Sequence, residues 1–167
     1  QNTTGVRAIQ EATPDFLKQQ IDAVFEDIYP DAVKIGMVAS SELIHVIADR
    51  LRYYDAKNVV VDPVMVASAG SSLLKQEAVR TLIRELLPIS TLLTPNIPEA
   101  QVLSGMPIKN KEDMIAAARQ IGNSHQCAVL PGSYSGKLYC RRPVGPLSEA
   151  VAEEYQKQLE RSQSESQ

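Results

Sequence analysis

Apolar and polar positions follow two patterns along the chain. In several segments apolar residues recur every three or four positions, which is typical of helices with one buried face. Thr13 before Pro14 is typical of a helix start, and Gly105 suits a C-terminal cap. The predicted helices cover residues 14 to about 28, the segment after Ser40 or Ser41 to about 51, residues 76–87, residues 97 or 98 to 105, and residues 110 to about 122.

Short runs rich in β-branched residues lie between these helices. The predicted strands are residues 32–36, 58–62, 91–94 and 128–130, with residues 137–140 as a hairpin partner of the last. Strands separated by helices of this length form right-handed crossovers, so we predict an α/β fold with a mainly parallel sheet. The chain ends in a polar segment rich in Glu, Gln and Ser, which divides it into a core of residues 1–146 and a tail of residues 147–167.

Composition narrows the range of partners. Hydrophobic residues make up 44% of the 167 positions and charged residues 22%, as in ordinary globular proteins. The formal net charge of −3 and the 5% of aromatic residues favour neither a nucleic-acid partner nor an anionic membrane surface. No apolar run approaches the ~20 residues that a membrane span needs. We therefore expect a cytoplasmic protein with no nucleic-acid and no membrane partner.

Cysteine and histidine are too few to carry the chemistry of a disulfide scaffold or a Cys–His metal site. The chain has only Cys127 and Cys140, which we expect to be reduced, and only His45 and His125. His45 falls within a predicted helix and His125 in a predicted loop, and neither has a Ser or Cys at a spacing typical of a catalytic triad. The glycine motifs of Rossmann and P-loop proteins are absent from the sequence.

A parallel sheet binds its ligands beyond the carboxyl ends of its strands. Polar residues directly follow the predicted strands at these positions. Asp62 ends an otherwise apolar strand, and Asn96 and Glu99 lie one turn apart at the start of a helix. Two carboxylates and an amide at one edge could hold Mg²⁺ through water molecules, and a helix N-terminus favours a phosphate. A structural interpretation is equally open, since Asp62-Pro63 is typical of a turn and Asn96 with Glu99 is typical of a capping box.

An ordered set of motifs resembles the hydroxymethylpyrimidine/phosphomethylpyrimidine kinases, the thiamine-pathway members of the ribokinase superfamily, whose close siblings are the pyridoxal kinases. The motifs are QNTTGV at 1–6, DAVKIGM at 31–37, VVVDPVM at 59–65, SLL at 72–74, LLPISTLLTPNIPEAQVLSG at 86–105 and AAARQIG at 116–122. The resemblance extends to about residue 130 and implies a three-layer α/β/α fold of the ribokinase type. It also implies transfer of the γ-phosphoryl group of ATP to a hydroxymethyl group and then to the resulting phosphate ester.

The resemblance also implies where the pyrimidine substrate would bind. Gln1 is similar to a glutamine that hydrogen-bonds the aminopyrimidine, and Met37 and Val64 are similar to apolar residues that wall the ring.

For the phosphates, the resemblance implies a site built on the carboxylates identified above. Asp62, Asn96 and Glu99 match positions around Mg²⁺ and the ATP phosphates, and Thr94 matches a residue beside them. Asp62 and Glu99 are the expected metal-facing pair, with Mg²⁺ as cofactor and ATP as co-substrate.

The chain departs from the family pattern in three places. The family's glycine-rich segment ahead of QNTTGV is not in the sequence, and Pro131-Gly132-Ser133-Tyr134 stands where the family has Lys-Gly-Gly-His. The Gly-Thr-Gly-Cys turn, which in the family forms an anion hole and supplies the catalytic base, is also not in the sequence, so we assign no catalytic residue. We therefore expect an incomplete ribokinase-like core, cut short at both ends, with little or no turnover by itself.

Three hypotheses for function remain at this point. The first is phosphorylation of hydroxymethylpyrimidine and its monophosphate in thiamine biosynthesis, by a protein whose full-length relatives we expect to be homodimers. The second is a non-catalytic fragment or pseudo-kinase that only binds ligand, and the third is a pyridoxal or pyridoxamine kinase.

Overall fold

A computed structural model describes residues 10–38, 40–65 and 76–131 of the chain. Its helices are α1 (Pro14–Asp27), α2 (Ser41–Tyr53), α3 (Gln76–Thr81), α4 (Ile97–Ser104) and α5 (Lys111–His125), and its strands are β1 (Val33–Ile35), β2 (Val59–Val61), β3 (Leu92–Leu93) and β4 (Ala128–Val129). Helices and strands follow one another in the order predicted from the two patterns of apolar residues, with α4 and α5 both lying between β3 and β4.

The four strands form one sheet in the order β1-β2-β3-β4, and each neighbouring pair is parallel. Val33 is paired with Val59, and Leu93 is paired with both Val61 and Val129. The predicted α/β fold with a parallel sheet is therefore confirmed for the described residues.

The helices of this part of the chain contribute to one apolar core. Each helix supplies at least one buried residue to that core, including Phe25, Ile44, Ala78, Ala100 and Met114. The sheet supplies alternate residues from one face: Ile35, Val59, Val61, Leu93 and Val129. The other face carries a smaller cluster of Leu92, Ala128 and Leu130 with Val60 against it. Since every crossover leads to the next strand in order, the described helices lie in one layer against the sheet.

Most predicted helix boundaries are confirmed by their caps. The side-chain oxygen of Thr13 accepts a hydrogen bond from the amide of Phe16 at 3.3 Å, and Ser40, not Ser41, is the N-cap of α2. Gly105 ends α4 in the left-handed conformation at φ 68°. One boundary was wrong: α5 continues past Gly122 to His125. Gly122 is buried in this helix, and its packing outweighs the ~1 kcal/mol that glycine costs in a helix interior.

The helix predicted over residues 76–87 changes its hydrogen-bond pattern partway along. After α3 the chain forms a π-helical segment, Leu82–Leu86, and then a 3₁₀ turn, Leu87–Ile89, that contains Pro88. The amide of Leu87 bonds the carbonyl of Leu82, five residues back. A proline ring clashes with the carbonyl four residues before it in an α-helix, so widening the helix ahead of Pro88 avoids that clash.

Polar contacts tie this π-helical segment to α2. Nδ1 of His45 lies 2.7 Å from Oε2 of Glu85, and Arg52 donates to the carbonyl oxygen of Glu85 at 2.6 Å. Arg84 donates to Oε1 of Glu85 at 2.8 Å. The hydrogen bond from Arg84, followed by that from His45, holds the pKa of Glu85 below its usual value.

Some predictions fall outside the described residues. These are the hairpin partner at 137–140, the boundary between the core of 1–146 and the tail of 147–167, and Gln1. Within the described residues, none of the helices is both long enough and apolar enough to cross a membrane.

We expect Leu86→Ala to destabilise the protein strongly. Leu86 is fully buried in the core, and shortening a buried leucine to alanine typically costs about 2–5 kcal/mol through lost burial and the cavity left behind. The control is Val102→Ala, because Val102 is half exposed on α4 and should change the free energy of unfolding by less than about 0.5 kcal/mol. Urea unfolding of the two variants measures the difference, and equal destabilisation would contradict the placement of Leu86 in the core.

We expect the stabilisation by Glu85 to depend on pH. Because its pKa is lower in the folded than in the unfolded state, the carboxylate stabilises the fold above the unfolded value of about 4.5. That contribution is lost as the pH falls through the lower folded value. Glu85→Gln should therefore lower the free energy of unfolding by about 1 kcal/mol at pH 7, and the gap from wild type should close towards pH 3. Glu11→Gln, at an exposed position ahead of α1, should show no such gap.

Candidate active site

The parallel ladder brings the residues that follow β2 and β3 to one edge of the sheet. The amide of Asp62 donates to the carbonyl of Ile35 at 2.8 Å, and the amide of Thr94 donates to the carbonyl of Val61 at 3.1 Å. Asp62 and Thr94 thus occupy the first position beyond their strands, each fixed by the neighbouring strand. This is the carboxyl edge, where a parallel sheet places its ligand site.

Asp62 presents a carboxylate at this edge. Its side chain is 33% exposed, and its Oδ2 lies 3.3 Å from Nζ of Lys34. No role was predicted for Lys34, although it lies in the DAVKIGM motif at 31–37. The register of the sheet accounts for the contact: Lys34 is paired with Val60, and alternation along β2 puts Asp62 on the same face two residues further on.

The chain turns sharply after Asp62. The amide of Val64 donates back to the carbonyl oxygen of Asp62 at 2.8 Å, which leaves Val64 half-buried and Met65 buried. Met37, which follows β1, is 53% exposed. The two predicted wall residues of the pyrimidine pocket therefore both follow strand ends at the carboxyl edge, whereas Gln1 lies outside the described residues.

The N-terminus of α4 carries a complete capping box. Oδ1 of Asn96 accepts from the amide of Glu99 at 2.9 Å, and Oε2 of Glu99 accepts from the amide of Asn96 at 2.8 Å. The structural interpretation of this motif is therefore confirmed. It does not exclude a functional one, because the capped turn follows β3 directly and places the positive end of the α4 dipole at the carboxyl edge.

The other oxygen of Glu99 reaches the turn after β2. Oε1 of Glu99 accepts from the amide of Met65 at 3.4 Å, and the side chain is almost fully buried. Burial raises the pKa of Glu99, and the nearby charge of Asp62 adds to that rise, while the amides of Asn96 and Met65 oppose it. The structure thus brings Asp62, Asn96 and Glu99 together, with Glu99 joining the turn after β2 to α4.

The donor set fits a hydrated Mg²⁺ held mainly by Asp62. Mg²⁺ usually keeps several water molecules and binds proteins through one or two carboxylates. Asp62 is exposed enough to serve, whereas both oxygens of Glu99 already accept backbone hydrogen bonds, so Glu99 would act through its charge and through water. In residues 10–38, 40–65 and 76–131 no group of three or more His, Cys, Asp or Glu side chains forms a metal cage.

The histidines and the described cysteine lie elsewhere. His45 is paired with Glu85. His125 is the last residue of α5, not part of a loop as predicted, and burial lowers its pKa. Cys127 is buried. Both His125 and Cys127 come just before β4, at the amino end of the sheet, opposite the carboxyl edge.

Comparison with known proteins identifies a family whose members are similar to this chain. The family model described as phosphomethylpyrimidine kinase matches residues 1–139. The hydroxymethylpyrimidine/phosphomethylpyrimidine kinase of Bacillus subtilis (strain 168) is 47% identical over 121 residues, which are 72% of this chain and 45% of that protein. The chain thus spans about half the length of the curated relative.

Solved structures show the same likeness. The crystal structure of phosphomethylpyrimidine kinase from Clostridium difficile 630 matches with a TM-score of 0.79 and 43% identity, over 86% of this chain and 64% of that one. A pyridoxal kinase from Staphylococcus aureus in complex with AMP-PCP matches with a TM-score of 0.68 and 31% identity, over 78% and 47% of the two chains. The likeness confirms the predicted three-layer, ribokinase-like α/β/α fold, of which the described helices form one helical layer, and with the family match it shows that this chain belongs to the phosphomethylpyrimidine kinase family.

Proposed function

We propose that this chain is part of a cytoplasmic, ATP-dependent kinase that phosphorylates hydroxymethylpyrimidine and its monophosphate in thiamine biosynthesis. The name of the Bacillus subtilis relative supports the substrates. The carboxyl edge supports the chemistry, and the single observation that carries the proposal is the placement of Asp62 beside the capped N-terminus of α4, with Glu99 bonded to both segments.

Phosphoryl transfer needs charge neutralisation and positioning more than covalent help from the protein. Mg²⁺ bound at Asp62 would supply neutralisation of the triphosphate charge. The residues of this chain would supply the frame: Asp62 as the metal-facing carboxylate, Glu99 as the charge behind it, and the N-terminal turn of α4 at Asn96 as a positive dipole facing the phosphates. Thr94 lies beside these groups as the first residue after β3.

Met37 and Val64 would position the pyrimidine ring by apolar contact, and Gln1 would hydrogen-bond the aminopyrimidine. Both wall residues follow neighbouring strands, so a flat ring at this edge would meet apolar surface from β1 and β2 together. Sequence identity favours the pyrimidine over pyridoxal, because the phosphomethylpyrimidine kinase structure is 43% identical and the pyridoxal kinase structure 31%.

Turnover by the 167 residues alone is a separate question from ligand binding. The resemblance assigns the catalytic base to a Gly-Thr-Gly turn that is not in this sequence. We therefore propose that the chain binds Mg²⁺, nucleotide and pyrimidine with little turnover, which corresponds to the ligand-binding hypothesis. The homodimer expected for full-length relatives stays a prediction.

We expect Asp62→Asn to weaken binding of Mg²⁺·ATP by tenfold or more, which corresponds to about 1.4 kcal/mol, because the neutral amide no longer attracts the cation. Thermal unfolding with and without Mg²⁺·ATP measures the loss, since ligand at about 100 times its Kd should stabilise wild type by about 2.7 kcal/mol. Asp31→Asn is the matched control: it removes the same charge ahead of β1, at the opposite end of the sheet.

Two outcomes would contradict the proposal. One is equal stabilisation of the Asp62→Asn and wild-type chains by Mg²⁺·ATP, and the other is stronger binding of pyridoxal than of hydroxymethylpyrimidine. ADP release measured in the same samples tests the expectation of low turnover, and a rate within the usual enzyme range of about 1–10³ s⁻¹ would overturn that expectation alone.

A further inference from the structure

Lys34 reaches the carboxyl edge from the middle of an adjacent strand. It is the central residue of β1 and is paired with Val60, whereas Asp62 lies two residues further along, beyond the end of β2. To place Nζ 3.3 Å from Oδ2 of Asp62, the lysine side chain must run along the strand towards that edge.

The side chain of Lys34 passes beside Gly36. Lys34 and Gly36 lie on the same face of β1 by alternation, and Nζ of Lys34 lies 3.8 Å from the point where a Cβ on Gly36 would stand. A Cβ at that distance would make only an ordinary van der Waals contact, so the ammonium group lies beside Gly36 on its way to Asp62.

The charges at this edge indicate that the ion pair between Lys34 and Asp62 affects more than the stability of the fold. An exposed ion pair contributes only about 0–1 kcal/mol to folding, and Lys34 is 65% exposed. Asp62, however, lies close enough to the buried Glu99 for the two carboxylates to repel each other. The ammonium group of Lys34 beside Asp62 offsets that repulsion. The same ammonium group would repel a divalent cation that approaches the carboxylate of Asp62.

We propose that Lys34 is a positioning residue that holds Asp62 at the carboxyl edge and competes with a divalent cation for its carboxylate. This inference rests on the proposed function, which places Mg²⁺ at Asp62. Lys34 acts through Asp62 and sets how readily the carboxylate accepts the metal. It therefore limits binding of the free cation.

The test is the affinity of the chain for Mn²⁺ alone, measured from the electron paramagnetic resonance signal of the free ion. Lys34→Met should lower the Kd for Mn²⁺, because it removes the repulsion between the lysine charge and the ion. For a single and a double positive charge about 6 Å apart in water, that repulsion corresponds to a change in Kd on the order of tenfold. Lys34→Arg keeps the charge and should leave the Kd within about twofold of wild type. The change caused by Lys34→Met should shrink at high ionic strength, which a loss of packing would not show.

Lys57→Met is the matched control. Lys57 is 63% exposed and is paired with Asp55 before β2, so this variant removes a similar ion pair at the opposite end of the sheet. It should leave the Kd for Mn²⁺ unchanged. Thermal unfolding of both methionine variants verifies that each is folded under the conditions of the titration.

Asp62→Asn separates failure of this proposal from failure of the proposed function. If Asp62→Asn abolishes Mn²⁺ binding and Lys34→Met leaves or weakens it, the role given to Lys34 is overturned and the metal site stands. If Asp62→Asn leaves Mn²⁺ binding unchanged, both proposals are overturned. In the double variant Lys34→Met/Asp62→Asn, the gain from removing the lysine should disappear.

Discussion

The arrangement at the carboxyl edge depends on the parallel ladder between β1, β2 and β3. These strands are only two or three residues long, so one or two hydrogen bonds determine the positions of the residues that follow each strand. The amides of Asp62 and Thr94 continue the ladder past the strands and fix both residues relative to their neighbours. A shift of one residue would turn Asp62 to the opposite face and away from Lys34.

The buried carboxylate of Glu99 extends this constraint to the helix. Burying a charge is unfavourable unless hydrogen bonds compensate for it, and here the amides of Asn96 and Met65 do so. One bond belongs to the cap of α4, and the other secures the turn that follows Asp62. The structural and functional interpretations of the Asn96–Glu99 motif are therefore compatible, because the cap is what places the helix against that turn.

Local signals predicted most helices, strands and caps of the described residues. Thr13, Ser40 and Gly105 act on their immediate neighbours, which is why the sequence alone was sufficient for them. The extension of α5 past Gly122 was missed because packing against other elements decides it. The π-helical segment was missed because Pro88 predicts where the helix ends and not that the turn ahead of it widens.

The sequence predicted which polar residues lie at the carboxyl edge but not their contacts, and their roles stay a prediction. Asp62 and Glu99 follow a recognisable pattern in the sequence. The bond from Met65 to Glu99 spans 34 positions and the pair of Lys34 with Asp62 spans 28, so both depend on how the strands align. Long-range alignment of this kind follows from the register of the sheet and from no local motif.

The order of the strands also bears on how the chain acquires its structure. Because β1 to β4 are neighbours in space in the order in which they occur in the chain, each new strand can add to the sheet already formed. Domains form during synthesis from the amino end, and contacts between nearby stretches of chain cost the least loop entropy. The edge that carries Asp62 can thus be assembled once α4 has left the ribosome, before α5 and β4 have emerged.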